Sequence, residues 1–173
     1  MIDNILNRYA SRFFQFKDNN NSMEDTDKKI QDIKKDFYSL RNGMVADSLK
    51  TIYPKEKLIY GLTVPEFISI SQKYSKDKIT GLKLWADKRV RESRIFALYM
   101  IPVDTLTMDE AVNMVLDVDG IEEGEMLAFR ILRHLPYRKA LYSDLSLDEN
   151  ISAHSRYCLE MLKKNIEKES ELS

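Results

Sequence analysis

Cysteine is nearly absent from this chain of 173 residues: Cys158 stands alone. A disulfide framework and a cysteine-rich zinc site are excluded on that ground. Two histidines, His134 and His154, leave little material for another kind of transition-metal site, and no metal or cofactor is expected. Five glycines and four prolines are too few for the tight turns of a β-sandwich. Long apolar runs are missing too. The longest is nine residues, Ile95 to Val103, and it contains Pro102, whereas a spanning helix needs about 20. The opening stretch MIDNILNRYASRFFQF is interrupted by Asp3, Asn4, Asn7, Arg8 and Arg12, so it lacks a signal-peptide apolar segment. A cytoplasmic protein with no membrane partner is the expectation. Charge of one sign is not in excess either. Lys plus Arg is 27 against 28 for Asp plus Glu, a net −1, which excludes a uniformly basic nucleic-acid binder but leaves room for a local patch. There is no glycine-rich phosphate loop, and Ser152 and Ser155 have no nucleophile-elbow context.

What is present is a folding composition, 43% hydrophobic and 32% charged. A chain of this size buries roughly 70% of its unfolded surface. The apolar residues recur at helical spacing almost throughout. Ile2, Leu6, Tyr9 and Phe13 mark a helix over 2–16, and the polar run Asp18 to Ser22 reads as a linker. Met23 is an alternative start. Ile30, Ile33, Phe37 and Leu40 form a stripe closed by Asn42-Gly43; Val45, Leu49 and Ile52 form another, closed by Pro54. Thr63-x-Pro-Glu66, Thr107-x-x-Glu110 and Ser146-x-x-Glu149 read as capping boxes that open helices. Between them, helices are expected around 79–86, from about Arg89 to Pro102, and from Glu122 to Pro136. Glu122, Glu123 and Glu125 fall in the first turn of the last of these, where they suit its positive dipole end. Beyond Asn165 the tail is expected to fray. No segment alternates with period two. The fold class is all-α, with about nine helices paired at a loose spacing of roughly 35–45 residues, as in an α-α superhelix of HEAT-like antiparallel helix pairs. An irregular helical bundle is the other possibility. Residues 1–22 make an arm and linker, 23–168 the repeat domain, and 169–173 a frayed tail.

The neutral total hides three charged blocks. Residues 73–94 carry +5, residues 104–125 carry −8 with no base, and residues 126–142 carry +4 with no acid. Arg91 and Arg94 are three apart, as are Arg130 and Arg133, so each pair shares a helix face. If these two helices are equivalent members of adjacent pairs, the four arginines lie on one surface, the concave one, that tracks phosphates with guanidinium forks. The competing reading is solvated helix faces with ion pairs to the acidic block between them.

YGLTVPEFISISQKY, from Tyr60 to Tyr74, then LWADKRVRESRIFALYMIP and DEAVNMVLDVDGIEEGEMLAFRIL together resemble the DNA alkylation repair family, the alkylpurine DNA glycosylases built of HEAT-like repeats. The resemblance covers roughly residues 25–165. It implies a right-handed superhelical array with a basic concave surface. It also implies non-specific duplex DNA as partner and excision of alkylated purines without metal, cofactor or base flipping. A carboxylate would stabilise the positive charge that develops on the sugar. Glu125 falls on the catalytic Asp of the family and is the candidate catalytic residue. Arg91, Arg94, Arg130 and Arg133 are the candidate DNA contacts. Ile121 stands where the family carries a Trp, and a later family Arg has no clear equivalent, with Ser155 near its position and Arg156 one residue off. Weak or lost glycosylase activity is therefore expected. The alternative is a non-catalytic adaptor that binds protein, with its arginines engaged in internal ion pairs.

Other residues read more plainly. Trp85, at helical spacing with Leu82, belongs to the core. His134 is a surface residue, and His154 and Cys158, four apart, mark a half-buried helix face.

Overall fold

A computed structural model describes residues 20–53 and 57–171, and among them every regular element is helical. The expected arm helix over 2–16 lies outside the described residues. The helices are α1 (Asn20–Ser39), α2 (Gly43–Leu49), α3 (Val64–Ser71), α4 (Lys78–Ala86), α5 (Arg91–Met100), α6 (Met108–Leu116), α7 (Ile121–Arg130), α8 (Arg138–Ser146) and α9 (Ala153–Glu171). Short 3-10 turns at Val103–Thr105 and Leu132–His134 follow α5 and α7. In place of any strand, a lone parallel bridge joins Leu58 to Val90. None of the described helices is long and apolar enough to cross a membrane.

Local chemistry starts most of these helices. Asn42 caps α2 by accepting from the Val45 amide at 3.2 Å. The Glu66 carboxylate accepts from the Thr63 amide at 2.8 Å, and Thr107 and Glu110 close the same reciprocal box on α6. Asp77 caps α4 and hands its own amide to the Met100 carbonyl, tying the start of α4 to the end of α5.

Four expectations need correction. Helix α1 already includes Asn20 to Ser22, so that part of the polar run is no linker. Ser146 ends α8 instead of opening a helix. The cap of α9 is Ser152, whose hydroxyl accepts from the Ser155 amide at 3.0 Å, an option any Ser near a helix start offers. Helix α9 runs to Glu171 without fraying at Asn165. The spacing is also tighter than 35–45 residues. Helices α4, α6 and α8 have nine residues each and begin at 78, 108 and 138, and the ten-residue α5 and α7 begin at 91 and 121. The period is thirty residues because the connections are only four or seven residues long.

Packing follows that period. Helices α3, α5, α7 and α9 touch in succession, α4 packs on α5, α1 on α4, and α8 on α9. Arg91 meets Glu122 and Tyr99 meets Arg130, so α5 and α7 run parallel with a constant offset. Every residue of α5 is buried. Its Phe96 sits under Phe37 of α1, Phe67 of α3 and its own neighbour Tyr99, which joins three elements in one aromatic cluster. At Gly124 the backbone of α7 comes so close to α9 that an added Cβ would lie 3.2 Å from that of Cys158. The thiol is buried there, and burial pushes its pKa up to about 12, so it behaves as a small apolar group.

Gly61 has φ +82°, and a Cβ on it would run into the Asn42 carbonyl and the Ala46 amide. Gly61→Ala is expected to destabilise the protein by at least about 1–2 kcal/mol, the penalty for a side chain in the left-handed region. Urea unfolding checks this, with Gly43→Ala as the control, because nothing lies within 4 Å of a Cβ at Gly43.

Candidate functional site

The four candidate arginines do not share a surface. Arg91 and Arg94 occupy the N-terminal half of α5, where they are 3% and 0% exposed. Arg130 closes α7, and Arg133 lies beyond it in the 3-10 turn, so the second pair does not share a helix face. The pattern of two arginines three apart was legible, but the helix stop between them was not. It follows from Leu132 and Leu135, both fully buried, turning the chain inward before Pro136.

Arg91 and Arg94 are held by carboxylates of the acidic block. The Arg91 Nε donates to Glu122 Oε2 at 2.8 Å and a second nitrogen donates to Glu122 Oε1. A third reaches the Leu62 carbonyl and Glu92 Oε1, both at 2.9 Å. The Tyr53 hydroxyl donates to the same Glu122. Burial and the Glu122 charge both push the Tyr53 pKa far up, so this tyrosine stays protonated. Arg94 donates to the Trp85 and Asp117 carbonyls at 2.6 Å each. It also donates to Asp117 Oδ2 at 2.6 Å and to Glu123 Oε2 at 2.8 Å, with its guanidinium stacked 3.8 Å above the Trp85 ring. Lys57 donates to the other oxygen of Glu123 at 2.7 Å. Burial alone would raise the Glu123 carboxyl, but the Arg94 charge and the hydrogen bonds from Arg94 and Lys57 outweigh it and hold the group below its ordinary value.

Sequence reading did not single out Lys57, Tyr53, Glu92 or Asp117. Glu92 was visible as an acid between two arginines on an apolar helix. Its carboxylate, fully buried, accepts from the amides of Tyr60 and Gly61 at 3.0 Å each and from Leu62 at 3.4 Å. Two of the three stretches that carry the resemblance, around Tyr60–Pro65 and around Arg91–Arg94, are thus wired to each other. Lys57 and Tyr53 gave no signal, because their partners are more than 60 residues away.

Glu123 sets an acid limit on stability. Its folded pKa lies below the ordinary 4.5, so its contribution is complete above about pH 4.5 and is lost as pH falls through the folded value. Urea unfolding free energy is expected to drop steeply below about pH 4.5, with a shallower acid limb in Glu123→Gln. Equal slopes in the two proteins would show that Glu123 is not the group responsible.

Glu125 lies in the second turn of α7, not the first, and is exposed. Its carboxylate accepts from the Tyr157 hydroxyl at 2.5 Å, and this hydrogen bond raises the Tyr157 pKa. Ile121, one turn earlier, is exposed, as is Phe129 one turn later. Arg133 stacks 3.9 Å above Phe129 and donates to His134 Nε2 at 3.0 Å. Arg130 stacks 3.5 Å above Tyr99. Ser155 is fully buried against the Ser152 hydroxyl, and Arg156 is exposed, reaching the Glu149 carbonyl at 3.3 Å. Trp85 is in the core, as its spacing implied. Among the described residues no cluster of His, Cys, Asp or Glu is placed to hold a metal ion. An open cleft of about 560 Å³ lies between the turns that follow α5 and α7, lined by Lys76, Val103, Asp104, His134, Pro136 and Tyr137 among others.

Chemically, then, the acidic turn of α7 acts as the counter-ion of α5, and one carboxylate, Glu125, is left facing solvent beside a tyrosine. No family model, no curated protein and no solved structure matches this chain.

Proposed function

We propose that this chain is a non-catalytic helical-repeat scaffold that binds protein, built on a HEAT-like framework of the DNA alkylation repair kind. The observation that carries this reading is the burial of Arg91 and Arg94 against Glu122, Glu123 and Asp117. Guanidiniums with their donors filled by internal carboxylates have nothing left for a phosphate backbone. The thirty-residue period of equal-length helices supports the repeat framework. Glu125 supports the loss of catalysis. It has no aromatic platform at Ile121, and its carboxylate is bound to Tyr157. A longer arm also displaces it from the position of an Asp, and a shift of about 1 Å can lower a rate about 100-fold.

The test is release of N7-methylguanine from methylated duplex DNA, together with duplex binding by fluorescence anisotropy at low and moderate salt. No release and no salt-sensitive binding are expected. Clear excision that disappears in Glu125→Gln would overturn the proposal and make this a working glycosylase. Low-salt binding abolished by Arg133→Ala would restore the DNA-binding reading without catalysis.

A further inference from the structure

The open cleft of about 560 Å³ is built by three successive connections of the array. Lys76 comes from the α3–α4 connection, Val103, Asp104 and Leu106 from α5–α6, and Pro136 and Tyr137 from α7–α8. Hydrogen bonds brace these connections against their neighbours. The Asp77 amide donates to the Met100 carbonyl at 2.8 Å, the Lys78 ammonium to the Thr105 carbonyl at 3.0 Å and the Tyr137 hydroxyl to the Leu106 carbonyl at 2.7 Å. The cleft is therefore formed before anything enters it. Its size falls in the range of binding pockets, about 300–1,000 Å³.

Most of the lining is apolar, but two charged side chains, Lys76 and Asp104, line it as well, and both are exposed. No ion pair or hydrogen bond engages either of them among the described residues, so they also stand beyond ion-pair distance of each other. Their charged neighbours are taken. Lys78 pairs with Glu110, Asp77 with Lys29, and Arg133 donates to His134. An apolar cleft carrying one free cation and one free carboxylate is complementary to a segment with the same two charges around apolar side chains. We infer that this cleft docks an extended segment of a protein partner. A carboxylate of that segment meets Lys76, a basic side chain meets Asp104, and apolar side chains lie against Leu106, Pro136 and Tyr137. The inference rests on the scaffold reading and names what the partner presents. A small ligand fits less well, because pockets for such ligands bury about 70–90% of their surface and this cleft is open. A duplex fits less well too. Asp104 would face its phosphates, and one free lysine cannot track a backbone.

The experiment titrates the ¹⁵N-labelled full chain with the blocked peptide acetyl-Leu-Glu-Leu-Lys-Leu-amide. Extended, it presents leucines on one face, while Glu and Lys are long enough to reach back to exposed partners. Shifts are expected at the Asp104, Leu106 and Tyr137 amides and not at Glu123, at the far end of α7. Replacing the peptide Glu by Gln should weaken binding about two- to fivefold, the size of an exposed pair. Lys76→Gln should do the same to the parent peptide and add nothing with the Gln peptide. Asp104→Asn should behave likewise toward the peptide Lys. Replacing the three leucines by alanines should cost at least about tenfold. Lys76→Gln and Asp104→Asn touch unpaired side chains and should melt with the wild type, which separates binding from folding. Unmoved cleft amides would overturn the site. So would peptide changes that weaken wild type and both variants equally, because the charges would then not be read by Lys76 and Asp104. A short duplex that displaces the peptide would overturn the protein segment in favour of phosphate. The excision and anisotropy assays do not depend on this peptide, so failure here leaves the scaffold reading standing.

Discussion

Glu123→Ala is expected to destabilise the protein by about 3–5 kcal/mol, the usual result of removing one partner from a buried ion pair. The wild-type carboxylate is fully buried and accepts from Arg94, Lys57 and the Asp119 amide. Without it, two buried cations lose their common counter-ion. Arg94 retains Asp117 and the Trp85 carbonyl, whereas Lys57 is left with Asp119 at 3.9 Å and the Tyr53 ring at 5.4 Å among the described residues. Part of the loss is therefore the desolvation of Lys57, which the double variant Glu123→Ala/Lys57→Met should partly restore. Against a total stability of about 5–15 kcal/mol, the single change approaches the whole margin. Urea unfolding at neutral pH measures it. The control is Glu125→Ala on the same helix, which is exposed and should stay within about 0.5 kcal/mol of wild type. Similar losses for the two variants would mean that the buried network does not hold α5 to α7.

Phe96→Ala should cost about 3–5 kcal/mol for a different reason, a cavity in place of a lost charge. Phe96 is fully buried, with the Phe37 ring edge-on at 5.4 Å, Phe67 at 6.4 Å and Tyr99 stacked at 6.0 Å. Helix α1 and helix α3 both dock on α5 through this ring, so its removal loosens two contacts at once. Phe96→Leu, closer in volume, should lose about 1.5 kcal/mol or less. Thermal melting separates the two, with the alanine variant lower by roughly 6–20 °C at about 2–4 °C per kcal/mol for a chain of this length. A loss in Phe96→Ala no greater than in Phe96→Leu would show that the cavity collapses and that the cluster does not organise the core.

Both predictions concern α5, where the sequence was most misleading. Eight bases in 22 residues, among them Arg91 and Arg94, looked like a surface. The helix that carries two of them is wholly buried. Burial of arginine is tolerated only when its donors are met, and the acids that meet them lie 23 to 31 residues further on, in the acidic block that the competing reading named as an ion-pair partner without matching its acids to individual arginines. Pairing across that distance depends on how α5 and α7 align, and no local signal encodes an alignment.

What the sequence determined by itself was local. All-helical structure, the caps at Thr63 and Thr107, the absence of a disulfide framework and the core position of Trp85 were readable because each depends on residues within about one turn or on composition. The thirty-residue period was missed because it is written in helix lengths and connections, not in repeated residues. Helix α8, with only Leu141 and Leu145 buried, offered too short a stripe to register. Tertiary structure alone decided which charges face each other, which carboxylate stays exposed, and that Lys76, Asp104 and Tyr137 line one cleft. The physical reason is one of range. A helix start depends on hydrogen bonds three or four residues apart, whereas the state of a charge depends on every group that packing brings within a few ångströms of it.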